Sequence, residues 1–308
     1  MGFILGIAAA AAFGGAAVLT RIGMRHRSND DGVLMSIMVN VVVLGIVVAF
    51  APIPKFDSRG ILAFIAAGIL GTFLGRSSNL RAVRIIGPAR ANAFLSTAPL
   101  VSGLGGWIIL GESVGIGAAV GGVIVLAGLR IVMRNPGRAG VIVPESVPLT
   151  DLETPTDPVP AHSRLSGYIF ATAGACFFGM AFVMRKLGIV WFPSAIVGAF
   201  LGAVSALVVV ATIDSYRGRI GRRWQENVRS IPWWFVAAGV ATSVALLLQF
   251  AAYFDLPAWT VSLLQGTQIM WTLLWSYVGL REEEHLTMRL FWGVLLVVIG
   301  VSIVALQV

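Results

Sequence analysis

The residues of this sequence that could do chemistry are arginines and amides set in apolar surroundings. Arg76, Arg81 and Arg84 close an apolar run that opens at Gly60, and Asn79 follows Arg76 by three residues, which puts the two on one helical face. At 1.5 Å per residue Arg76 stands about 24 Å and Arg81 about 32 Å along that helix, against a hydrocarbon thickness of about 30 Å. Only Arg76 therefore lies plainly at membrane depth. A guanidinium fork grips carboxylate or phosphate at two points, so Arg76 in a cavity selects an anion, whereas the same side chains in a lipid-facing position snorkel to the headgroups. Asn40, the pair Asn92 and Ser96, and the pair Gln249 and Tyr253 are further polar positions at depth, each pair spaced i,i+4. Gln265, Gln268, Trp271 and Trp275 follow 3, 3 and 4 spacing and form one helical stripe. Amides in lipid must be hydrogen-bonded, so these side chains point inward, either lining a cavity or linking helices. Trp271 is a candidate wall for a flat or aliphatic substrate, with core packing as the alternative.

What is missing narrows the chemistry. No Asp or Glu falls in the middle of an apolar run, and the first run has no ionisable residue before Arg21. Proton relays place a carboxylate or histidine inside the membrane, so coupling through such a relay is not expected. Cys176 is the single cysteine, and His26, His162 and His285 lie far apart in polar connectors. The sequence thus offers no metal cluster, no cofactor motif and no catalytic set, and no enzyme is expected. The excess of 22 basic over 14 acidic residues encodes membrane topology here and does not call for nucleic acid.

These side chains need elements to hold them, and the composition says which. Of 308 residues 57% are hydrophobic, 36 are glycine and only 12% are charged, about half the charge of an ordinary water-facing chain. The expected partner is the lipid bilayer, as a multi-pass protein of the plasma membrane. Apolar runs broken by charge predict ten helices, at 2–20, 33–51, 60–84, 89–111, 113–133, 167–184, 192–213, 231–254, 258–280 and 287–306. Runs such as Val39 to Ala51 are apolar on every side, which excludes a transmembrane barrel. The first run lacks a basic leader and a cleavage pattern and reads as a retained helix.

Residues 134–166 carry six of the thirteen prolines and form a polar linker between a first half, 1–133, and a second, 167–308. The halves repeat each other. Phe13-Gly14, Arg21 and Gly23 match Phe178-Gly179, Lys186 and Gly188, and Pro88 matches Pro257. Glu112, Gly121 and Gly128 match Glu284, Gly293 and Gly300 at identical spacing. Five helices per repeat is an odd number, so the second repeat must enter the membrane from the opposite face. The fold class is therefore all-α integral membrane, ten helices in two inverted five-helix repeats. Glu112 and Glu284 open the fifth and tenth helices, where a carboxylate favours the positive end of the dipole; an ion pair exchanging between states is the alternative role. The glycines of the fifth and tenth helices permit close approach within one chain or across a homodimer.

Taken together, Phe13-Gly14 through Arg21, the run Gly68 to Arg84 leading to Gly87-Pro88, Ala91 to Pro99, Leu110-Gly111-Glu112 and the second-half counterparts resemble the drug/metabolite transporter superfamily. The resemblance is to its ten-helix type with two EamA-like domains and covers nearly the whole chain. It implies a central cavity lined largely by helices 1, 3, 4, 6, 8 and 9, and cytoplasmic termini. Helix 9 carries Gln268 near where helix 4 carries Pro99, a departure from symmetry in any gating role for Pro99.

Charge points to the other orientation. Assigning basic residues to alternate connectors puts 18 on the side of the 1/2, 3/4, 5/6, 7/8 and 9/10 connectors, against Lys55, Arg59, Arg185 and Lys186. Basic connectors stay cytoplasmic, which favours the first side as inside. The function expected is a secondary transporter of a small polar or amphipathic metabolite, amino-acid-like or an organic anion, working by alternating access. The alternative is a receptor or assembly partner that binds a ligand without moving it.

Overall fold

The computed structural model describes residues 1–24, 29–52, 54–86, 91, 94–113, 115–133, 161–216, 218, 233–280 and 288–306. Among them the chain forms ten helices. α1 spans Gly2–Met24 and α2 Asn29–Ala49. α3 runs through Ser58–Ala67, a wide π turn at Gly68–Gly75, and Arg76–Ile86. α4 comes in two pieces, one that includes Phe94-Leu95 and, after a turn at Ser96-Thr97, Ala98–Leu110; α5 is Ile116–Met133, α6 Ala161–Trp191, α7 Ala195–Tyr216 and α8 Trp233–Asp255. α9 comes in two pieces, Ala258–Gly266 and Gln268–Leu280, and α10 is Met288–Ala305. Five of these are long and apolar enough to cross a bilayer unaided, and α2, α4, α5 and α10 contribute shorter apolar stretches. Ten helices were expected and ten are present among the described residues, but two differ from expectation in a way that bears on the site.

α6 is the first. Expected at 167–184, it begins inside the stretch read as linker and continues past Arg185 and Lys186 to Trp191. Nothing in Leu187-Gly188-Ile189-Val190 breaks a helix, and only Pro193 forces the residue before it out of helical geometry. Arg185 and Lys186 therefore belong to a helix and not to a connector. α9 is the second: it is interrupted at Thr267, where no proline or charge announces a break.

Packing pairs each half with the other. α1 packs on α8 and α9, and α6 packs in the same manner on α3 and α4. α2 meets α7, and α5 meets α10. Exchanging helices 1, 3 and 4 for 6, 8 and 9 turns the first set of contacts into the second, as an approximate two-fold axis requires. Small residues make the approach possible. A Cβ on Gly188 would collide with the ring of Phe64, which sits fully buried among Phe192 and Phe250 in edge-on contacts of 6.4 and 5.7 Å. That aromatic cluster ties α3, α6 and α8 together beside the cavity described next.

Candidate functional site

Two broken helices face each other at the centre of the chain. In α4 the helix turns at Ser96-Thr97, where the Thr97 N–H and Oγ1 both donate to the Phe94 carbonyl at 2.9 and 2.7 Å. Pro99 then lacks the N–H that the preceding turn needs. In α9 the Thr267 N–H and Oγ1 donate to the Leu264 carbonyl at 3.0 and 2.7 Å. The break is thus symmetric even though the proline is not, because a threonine hydroxyl closing on the carbonyl three residues back serves both halves. Interrupted helices at matching positions of inverted repeats expose backbone polarity to a cavity, where alone it is tolerated in lipid.

A cavity of about 270 Å³ lies between them. Ser96 and Pro99 of α4 and Gln265 and Gln268 of α9 line it, as do Arg76 of α3, Gln249 of α8 and Arg185 of α6. The wide turn of α3 supplies Gly68, Gly71 and Thr72, and aromatic wall comes from Phe13, Phe178, Phe182 and Phe250. Helices 2 and 7, outside the set the resemblance implied, also reach it through Asn40 and Ala203. Asn40 accepts a hydrogen bond from the Ser243 hydroxyl at 2.9 Å, so this amide links α2 to α8 as well as facing the cavity.

One wall is a continuous polar chain. Arg185 Nη1 donates to Gln249 Oε1 at 2.8 Å, Gln249 Nε2 donates to Gln265 Oε1 at 2.9 Å, and Gln265 Nε2 donates to Gln268 Oε1 at 2.8 Å. The Arg185 guanidinium lies over the rings of Phe182 and Phe250, 5.4 and 5.8 Å from their centroids. Gly71 gives it room: a Cβ there would stand 3.3 Å from Nη2.

The other expected positions divide. Asn79 is buried against the Gly174 face of α6, does not line the cavity, and leaves its Nδ2 without a partner. Tyr253 is fully buried, edge-on to Phe250 and near the guanidinium of Arg185, behind the cavity wall. Trp271 turns away from the stripe it shares with Gln265 and Gln268: its Cβ packs against Gly14 of α1, and Trp275 donates from Nε1 to the Ala11 carbonyl at 3.0 Å. The stripe therefore holds from Gln265 to Gln268, across the break at Thr267, and ends before Trp271 on the second piece of α9. Arg81 is exposed over the ring of Phe170 at 5.3 Å, away from the cavity. Asn92, Glu284 and the side chain of Arg84 lie outside the described residues. Arg185, Thr242 and Ser262 also line the cavity and were not singled out from sequence. The available signal for Arg185 was the apolar run on both sides of the Arg185-Lys186 pair.

Glu112 sits at one end of this assembly. Gly111, at φ 66°, ends α4 in the left-handed conformation that glycine adopts without strain, and the Glu112 N–H closes the turn on the Gly106 carbonyl at 3.1 Å. The carboxylate then accepts the Ala258 N–H with both oxygens, at 3.0 and 3.1 Å. It caps a helix N-terminus as expected of its type, but that of α9 and not of its own α5. Burial pushes its carboxyl above the ordinary range, opposed by the Ala258 N–H and by the charge of Lys186. Lys186 completes the junction by donating to the Tyr253 and Leu256 carbonyls at 2.6 and 3.0 Å, at the negative end of α8.

The family model described as EamA-like transporter family matches residues 1–134 and 165–306. No curated protein matches the sequence. Among solved structures, one titled only as a crystal structure of a protein superposes with a TM-score of 0.69 at 17% identity, covering 99% of this chain and 96% of that one. At that identity it establishes a common fold.

Proposed function

The chain belongs to the EamA-like transporter family, and from that premise we propose that it is a secondary transporter moving a small polar or amphipathic metabolite by alternating access around the cavity between α4 and α9. Members of the family are membrane transporters of small molecules and not enzymes. The observation that carries the finer reading is the pair of helices broken at matching positions on either side of one cavity, Thr97 in α4 and Thr267 in α9. Breaks of this kind let the outer half of each helix move while the inner half stays packed, so the cavity can open first to one face and then to the other.

The cargo is amino-acid-like or an organic anion. Arg185, Gln249, Gln265 and Gln268 supply directional hydrogen bonds, and the phenylalanines exclude water from the rest. Among the described lining residues there is no carboxylate or histidine to relay a proton, which supports facilitated movement down the substrate gradient. Flux in proteoliposomes tests the reading. A substrate that binds the purified protein is expected to exchange across the bilayer and to do so without an imposed pH gradient; binding without exchange overturns transport in favour of a receptor.

We also propose that the basic connectors face the cytoplasm. With Cys176→Ala as background, Ser146→Cys should resist a membrane-impermeant thiol reagent in intact cells, and labelling there overturns the orientation.

A further inference from the structure

We infer that the cavity takes a small organic anion, a carboxylate on an apolar or aromatic body, and that Arg185 is the group that holds the carboxylate. This rests on the transport reading above and narrows its cargo. Charge comes first. Arg185 lines the cavity, and the described residues of the lining include no Asp or Glu. A low-dielectric pocket of that kind favours a ligand that brings a negative charge.

The second argument is the direction of the polar chain. Amide oxygens and nitrogens are ordinarily hard to tell apart, but a guanidinium has donors only, so the Gln249 atom facing it must be the oxygen. The Gln249 nitrogen then faces Gln265, which must answer with its oxygen, and the same holds at Gln268. All three amide oxygens already accept within the chain, so each amide has a free N–H to offer and, as an acceptor, only the second lone pair of an engaged oxygen. The chain ends at the Gln268 NH₂. Arg185 thus orients an array of donors, polarised by its own charge. Acceptor-rich ligands suit such an array better than an ammonium, which would find only oxygens that already accept.

Third, Arg185 has donors to spare. It carries five N–H groups. Among the described residues one is spent on Gln249, and even with the Tyr253 hydroxyl beside it an edge remains for a two-point grip on a carboxylate. Its faces are covered by Phe182 and Phe250, which fix the plane of the fork. Ser262, 3% exposed and lining the same cavity, holds a hydroxyl with no partner in the protein. A buried unpaired hydroxyl is costly unless a ligand satisfies it. A zwitterionic amino acid satisfies the fork but strands its ammonium, for which the described lining has no carboxylate.

The test uses the full-length protein, purified in detergent and then in liposomes, with benzoate, phenylpyruvate and hexanoate as probes. Benzamide, benzylamine and phenylalanine are the neutral, cationic and zwitterionic controls. The carboxylates should raise the melting temperature saturably, and the controls should not at equal concentration. Arg185→Gln should weaken carboxylate binding at least about tenfold. Gln268→Glu keeps the acceptor for Gln265 and reverses the terminal donor, so it should weaken binding comparably, and it carries the test if Arg185→Gln does not fold. Stabilisation by benzylamine or phenylalanine but not by carboxylates overturns the inference. So does carboxylate affinity unchanged in both variants, or no response to any carboxylate. Arg185-dependent binding without counterflow in liposomes supports the anion site and overturns the transport reading, which keeps the two failures apart.

Discussion

Gly121 of α5 and Gly300 of α10 approach so closely that a Cβ on either would stand 2.9 or 2.7 Å from the other's carbonyl oxygen. Gly128 meets Gly293 in the same way, at 2.8 Å. In the repeat alignment Gly121 corresponds to Gly293 and Gly128 to Gly300, so the two contacts are the same contact seen from either half. Gly121→Leu should therefore separate the helices and cost about 1–3 kcal/mol of stability, read as a lowered melting temperature in detergent. Gly122, next in the helix, has open space where a Cβ would go, and Gly122→Ala should leave stability unchanged or raise it by up to about 1 kcal/mol. Equal effects at the two positions would contradict the packing.

Glu112→Ala should destabilise by about 0.5–2 kcal/mol, because the Ala258 N–H loses its cap. Burial raises the carboxyl's pKa, so the folded chain holds that proton more tightly than the unfolded chain does. Its contribution to stability is then greatest below the unfolded value and falls as pH climbs through the raised one. Melting curves across this range should show that slope in the parent and a flatter one in Glu112→Gln.

Gly71→Val places a side chain 3.0 Å from the Ala181 methyl and 3.3 Å from Arg185 Nη2 at its first carbon. The guanidinium must shift off its two rings and away from Gln249. Substrate affinity is expected to fall about tenfold, with a smaller loss of thermal stability, in a paired binding and melting experiment. A variant with parental affinity would show that the position of Arg185 does not matter for binding.

Asn79→Leu should leave flux unchanged and stability equal or improved. The side chain is 1% exposed and its Nδ2 is unpaired, so removing the amide relieves a desolvation penalty and fills the same space. A fall in flux at normal expression would return Asn79 to the substrate path.

Sequence alone showed the helices and the repeat because long apolar runs and the spacing of Glu112, Gly121 and Gly128 are properties of one dimension. Arg185 was hidden by the same procedure. Ending a span at the first charge treats every arginine as a boundary, whereas here two phenylalanine faces and a glutamine hold one inside the helix bundle. The α9 break was hidden because Pro99 advertises an interruption and Thr267 does not; its hydroxyl acts only once the turn has formed. Trp271 and Trp275 were misplaced because spacing gives a shared face but not which neighbour covers each part of it, and α1 covers theirs. Gln249, Gln265 and Gln268 were legible as polar positions at depth, but not their order in a chain, which depends on how α8 and α9 sit against each other.

The two halves match in helices, breaks and glycines, yet every link from Arg185 through Gln249 and Gln265 to Gln268 is drawn from the second half. The symmetry is one of scaffold, and the anion site proposed above is one-sided. Substitution in the second half can consequently rewrite which molecule is chosen while the mirrored framework, and the motion it permits, stays as it is.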